Sequence, residues 1–204
     1  MTFAPTLATQ GNSAPRRLMS AALIVGFVCA PALCGAQNIP TAAAALQHFE
    51  NNILAYIAVR ERASTAVPEV AVASDPARLQ RAVNGLAERM RMVRQHARAG
   101  EIFTDDVERV FRERIRQTLD AQGISAAQLL VSLKQDTSRV PARDIRVNAH
   151  FDWNSGWDMP PEILEALPTL PEVLEYRLVH RDLLLVDVGA DLVVDVLHDA
   201  IQRY

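Results

Sequence analysis

Apolar positions in the first half of the chain recur every three or four residues, the period of a helix with one buried face. Leu46, Phe49, Ile53 and Ile57 form the first such stripe, with Thr41 placed to cap it and a fade-out near Ser64. Residues 63–74, with Pro68 among them, read as an extended linker. Asp75-Pro76 then supplies an N-cap followed by proline at the first helical position. From there Leu79, Val83, Leu86, Met90, Val93 and Ala97 keep helical period up to a stop at Gly100. A third helix opens on Thr104-Asp105-Asp106, whose carboxylates suit the positive end of the helix dipole. Its stripe is Val107, Val110, Phe111, Ile115 and Leu119, and Gly123 ends it. Ser125 with Gln128 makes a capping box for a shorter fourth helix running to about Gln135. Four amphipathic helices with short connections predict an antiparallel bundle.

After Pro141 the pattern changes. Residues 146–151 read as a short strand, and 153–157 as a turn carrying both tryptophans. Pro160, Pro161, Pro168 and Pro171 bracket one helical turn at 162–167. Three apolar runs follow, at 174–180, 183–188 and 192–197, separated by Arg181-Asp182 and Gly189-Ala190-Asp191. That pattern predicts a three-stranded antiparallel meander. The fold class expected is therefore α+β, with about four antiparallel helices followed by a small three-stranded β-meander. Within the strands, alternation places Asp187 and Asp195 on an exposed face.

Ahead of the helices stands a different texture. Arg16 and Arg17 precede an apolar run at 18–30, Pro31 breaks it, and Cys34-Gly35-Ala36 offers small residues at the −3 and −1 positions. This is the order of a secretory signal peptide cleaved after Ala36. The run falls short of the roughly twenty residues a bilayer span needs, so no retained membrane span is expected. Neither Cys29 nor Cys34 has the flanks of a lipidated cysteine. Pro15 and Ser20 depart from the twin-arginine pattern, so general secretion is the expected route and twin-arginine export the lesser alternative. The chain then divides into 1–36 as the signal peptide, 37–140 as a helical region and 141–204 as a β-rich module. Export places the mature protein in the periplasm or outside the cell.

Cleavage removes both cysteines, and with them disulfides, thiolate nucleophiles and cysteine metal ligands. It also removes two arginines and no acid, taking the formal charge from −3 to −5. From His150 onward eleven acidic residues face only Arg177, Arg181 and Arg203. Such a field repels nucleic acid and anionic lipid. The arginines of the second and third helices are interleaved with Glu88, Glu101, Asp105, Asp106, Glu108 and Glu113, the pattern of charge-laced, solvent-facing helices.

The order Leu170-Pro171-Glu172, Glu175-Tyr176-Arg177-Leu178-Val179, Asp182 to Asp187 and Leu192 to Leu197 resembles a group of uncharacterised exported bacterial proteins. Members of that group join a helical N-terminal part to a small C-terminal module. The last 35 residues or so are also similar to a periplasmic family linked with nickel and cobalt homeostasis. There a proline-rich segment leads into a tyrosine-arginine strand and two more strands.

Little catalytic chemistry is legible. No G-x-S-x-G, H-E-x-x-H or phosphate-cradling glycine loop occurs, and neither an enzyme nor a cofactor is expected. Metal-ligand candidates reduce to His180 with Asp182, and Asp195 with His198, since imidazole and carboxylate suit zinc or nickel. Trp153, Trp157 and Tyr176 are candidates for a contact surface, with a core role at the helix–sheet junction as the competing reading. The leading expectation is an exported protein with a binding or structural role and an envelope protein as partner, recruited by an unpaired edge strand at 174–180 or 192–197. A periplasmic metal-binding protein comes second, and a hydrolase without a recognisable motif third.

Overall fold

In a computed structural model, residues 41–65, 75–134 and 145–202 are described. The expected signal peptide with Ala36 and the expected linker around Pro68 lie outside them. Helix α1 (Ala42–Ser64) starts where Thr41 accepts a hydrogen bond from the Ala44 amide. Helix α2 (Pro76–Val93) is capped by Asp75 through the Ala77 amide. Helix α3 (Asp105–Gln122) ends at Gly123, whose φ of 66° is the left-handed conformation that glycine adopts without strain. Helix α4 (Ala126–Lys134) carries the expected capping box between Ser125 and Gln128. None of the helices among the described residues is long and apolar enough to cross a membrane.

The α+β architecture and the antiparallel sheet are as expected, but the sheet has four strands and the chain five helices among the described residues. Strand β1 (Trp157–Asp158) is two residues long and pairs with β2 (Leu174–Val179), which pairs with β3 (Asp182–Asp187), which pairs with β4 (Leu192–Leu197). The short helix α5 (Pro161–Ala166) lies between β1 and β2. The turn expected at 153–157 closes at Ser155, whose amide donates to Asp152. Gly156 then brings the chain against β2. A Cβ there would stand 2.9 Å from the Val179 methyl and 3.0 Å from the Leu178 carbonyl oxygen.

The helix layer is not a self-contained bundle. Its stripes face the sheet, and one apolar core runs through both. Phe49, Phe103 and Phe111 pack ring to ring at 5.0–6.0 Å, and Phe111 meets Tyr176 of β2 at 6.3 Å. Tyr176, Leu178, Leu183, Leu185, Leu192 and Leu197 supply the sheet's share of this core. Burying each such side chain contributes on the order of 1.5–3 kcal/mol. The opposite face carries Val179, Leu184, Val186, Val193 and Val196, packed with Phe151, Ile145 and Trp153. Residues 146–151 do not form the expected strand. They touch β4 at one bridge, His150 to Leu192, and act as a cover over its edge.

Because both faces are apolar, alternation does not separate solvent from core, and the expected exposure of Asp187 and Asp195 is overturned. Both are 0% exposed. Asp187 shares the helix-side face with Leu183 and Leu185. Asp195 reaches that side through an irregularity: Leu185 pairs with Asp195, but Val186 pairs with Val193. The extra residue, Val194, is a β-bulge that shifts the phase of all that follows. The Asp195 carboxylate then accepts hydrogen bonds from the amides of Gly100 (2.9 Å), Ile102 (2.7 Å), Phe103 (2.8 Å) and Val196 (2.8 Å). Asp187 accepts from Tyr56 Oη (2.7 Å), Arg60 Nε (2.6 Å) and the amides of Gly189 (2.9 Å) and Ala190 (3.1 Å).

Two further expectations change for the same reason. Helix α2 stops at Val93 rather than running to Gly100, because Arg94 leaves helical geometry to donate to Val194 O at 3.1 Å. Asn148, with φ of 65°, donates to the carbonyl that Arg94 exposes there, at 2.7 Å. The arginines are also not simply laced on a solvated face. Arg116 does pair with Glu113 and Asp120, but Arg91, Arg94, Arg112 and Arg114 reach the carbonyls of Asn148, Val194, His198 and Ala166.

Asp195→Asn keeps the side chain's size and removes its charge, setting an amide group among donors. Stability measured by urea unfolding should fall by about 2–4 kcal/mol. The exposed control Glu165→Gln should stay within about 0.5 kcal/mol.

Candidate functional site

Tyr56 and Arg60 stand four residues apart on α1, and so share one face of the helix. Both reach the Oδ2 of Asp187. Burial pushes the Tyr56 hydroxyl far above the ordinary range, and the Asp187 charge and hydrogen bond add to it, with Arg94 and Arg60 opposing. Tyr56 is therefore a fixed donor. The Arg94 guanidinium lies over its ring at 5.1 Å and also reaches Glu101 at 3.3 Å. Gly189 completes the arrangement, since a Cβ there would fall 2.4 Å from Arg60 Nη2.

Above this buried cluster opens a cleft of about 400 Å³ between α1 and the end of α2. Tyr56 and Val59 line one side, and Val93, Arg94 and His96 the other, with Glu101 and Ile102 at the end. Val93 stands on this wall with 59% of its surface exposed, although it continues the α2 stripe. The polar groups that line it most deeply, Tyr56 and Arg94, are engaged by Asp187, Val194 and Glu101. The cleft thus offers shape, apolar surface and fixed donors.

The metal-ligand candidates are only partly brought together. His198 Nδ1 lies 3.0 Å from Asp182 Oδ2, and the Asp199 amide donates to the other Asp182 oxygen at 2.9 Å. His180 sits apart on the β2–β3 turn with φ of 57°, its ring edge-on to Trp157 at 6.4 Å. Asp195 is sealed behind its four amide donors. Among the described residues no group of three or more histidine, cysteine or carboxylate side chains converges as metal ligands. The acidic C-terminal run is dispersed in the same way. Asp158 and Glu175 hold Arg177, Asp191 accepts from Trp153 Nε1, and Asp199 holds Arg181.

Of the contact-surface candidates, Tyr176 lies in the core, 2% exposed, with its hydroxyl on the Pro168 carbonyl. Trp153 is half-buried between Phe151 and the Arg177 guanidinium, which lies 4.9 Å from its ring. Trp157 is half-buried in β1, and its indole N–H has no acceptor. The edge of β4 is closed as well. Asn148 and Ala149 bond Val193, Arg94 bonds Val194 O, and the Asp195 carboxylate takes the Val196 amide. At the other margin β1 covers Arg177 and Leu178 of β2. Tyr56, Arg60 and Asn148 were not singled out by sequence, and Arg94 was read only as part of a charge-laced, solvent-facing helix; the trace they left is that Tyr56 and Arg60 flank the Ile53–Ile57 stripe.

A second histidine–carboxylate pair joins α1 to α3: His48 Nδ1 lies 2.8 Å from Asp106 Oδ2, and the Thr104 hydroxyl donates to the other oxygen. Scans against protein-family models, curated proteins and solved structures found no match to this chain.

The Thr104 hydroxyl holds the Asp106 carboxyl below its ordinary value of 3.8, outweighing the opposing effect of burial, and the His48 bond adds a smaller push in the same direction. Folding therefore releases a proton at acid pH, and the stabilisation is complete above pH 3.8. It should be lost as pH falls through the lower folded value. Melting temperature followed from pH 6 to pH 2 should drop less steeply in Asp106→Asn than in the wild type.

Proposed function

We propose that this is an exported protein of the bacterial envelope whose folded part acts as a binding module, with the cleft between α1 and the end of α2 as its contact site for a partner protein. The observation that carries the reading is Val93, a large apolar side chain left 59% exposed on the cleft wall, one helical turn beyond the buried Met90 of the same stripe. Single exposed apolar residues are ordinary, but one set in a concave surface beside fixed donors is what recognition sites contain. Strand addition is the weaker route, because the β4 edge has its groups at Val193, Val194 and Val196 occupied. Export rests on the order of residues at 16–36.

Metal handling remains the second reading, and the Asp182–His198 pair is what favours it. Two ligands leave at least half of a zinc or nickel shell to water, which sets this reading behind the first.

A photo-crosslinking amino acid at position 93 should give one discrete adduct in intact cells, absent when the same group stands at exposed Glu165. Adducts of equal pattern from both positions would count against the cleft. The captured protein's own N-terminus should read Gln37; retention of residues 1–36 would refute export with cleavage at Ala36.

A further inference from the structure

Helix α1 is apolar on more than one side. Its inner face, with Phe49, Ile53 and Tyr56, packs into the core. A helix that meets the protein on one side and water on the other carries charge on its outer side, and α3 does so. There Glu113, Gln117 and Asp120 stand exposed, laced to one another and to Arg116. Helix α1 departs from that rule. Between Glu50 and Glu61 every exposed position is uncharged: Asn51, Leu54, Ala55 and Ala58. Leu54, at the middle, is 65% exposed.

The charges that bracket this face say what covers it. Glu50, Leu54, Ala58 and Arg62 are all exposed and follow one another at four-residue steps, which makes them one ridge of the helix. The acid and the base at its ends lie about 18 Å apart along the axis. Neither is in an ion pair among the described residues. Glu50 accepts from the Gln47 side chain at 3.4 Å, and Arg62 donates through Nε to the Ala58 carbonyl of its own helix. A ridge with opposite charges at its two ends is complementary to itself turned end for end. Two copies related by a two-fold axis, with their α1 helices antiparallel, set Glu50 of each against Arg62 of the other. Leu54 then meets the small Ala58, and ridges of this spacing pack at a crossing angle of about −50°. A parallel approach would bring like charges together.

The geometry points to a two-fold dimer of this chain, formed through the outer face of α1. One helix face is a small interface, so association is weak, with a dissociation constant on the order of 10–100 μM. None of the four ridge residues lines the α1–α2 cleft, and the dimer stands independently of partner binding there.

Sedimentation equilibrium of the full exported chain, carried to about 1 mM, should show a reversible monomer–dimer equilibrium. Leu54→Glu should weaken it by at least about tenfold. Glu50→Arg alone and Arg62→Glu alone should each weaken it by about fivefold or more, because each sets two like-charged pairs across the axis. An equimolar mixture of these two charge variants should associate as the wild type does, since every arginine then meets a glutamate. The melting temperature in dilute solution should hold in all three variants, each position being exposed. A chain that stays monomeric at about 1 mM, wild-type dimerisation of Leu54→Glu, or a mixture that associates no better than either charge variant alone would each overturn the proposal. So would a photo-crosslinker at position 54 that captures a different protein in cells rather than a second copy.

Discussion

The carboxylate of Asp195 is a charge withdrawn from water in the middle of a strand, and an isolated charge in that position would cost several kcal/mol. Four backbone amides converge on it. Three of them belong to the loop joining α2 to α3, so that loop has one shape in which its own buried donors are satisfied. The exit of α2, the entry of α3 and the seating of both on the sheet follow from that single acceptor. The bulge at Val194 is what aims it. In a regular register Val194 would stand opposite Leu185 and Asp195 opposite Leu184, on the face of Val186, Val193 and Val196.

The helices were largely legible because their determinants are local. Asp75-Pro76, the Ser125–Gln128 box and Gly123 each act within one turn, and each stands where the sequence placed it. The sheet was legible as three apolar runs, but not as a two-faced layer. Alternation distinguishes an exposed face only where one face is wet, and here Leu184 and Val186 are as buried as Leu183 and Leu185. Asp187 and Asp195 were thus read as surface residues when each is the centre of a tie between layers. The two-residue β1 was hidden for another reason. Its place is set by Gly156 packing on Leu178 and Val179, a contact that no local pattern encodes.

The near-exclusive use of arginine over lysine, with Lys134 the one exception, acquires a physical reading from the same ties. Arg91, Arg94, Arg112 and Arg114 each lay a planar fork on a carbonyl of the sheet or its flanking segments. An ammonium is a more strongly hydrated point charge and gives up more on leaving water. Arginine can serve several acceptors at once, as Arg94 does with Val194, Glu101 and the Tyr56 ring.

The ties also dictate an order of events during synthesis. Asp195 comes 92 to 95 residues after the loop amides it receives, and Asp187 follows Tyr56 by 131. A growing chain therefore carries its helices long before it carries the acceptors that fix them. Until the last strand is complete, the helical part has neither its apolar floor nor its buried counter-groups. Long-range closure of this kind delays commitment to the native state. That delay leaves the helical part open until both carboxylates have been made.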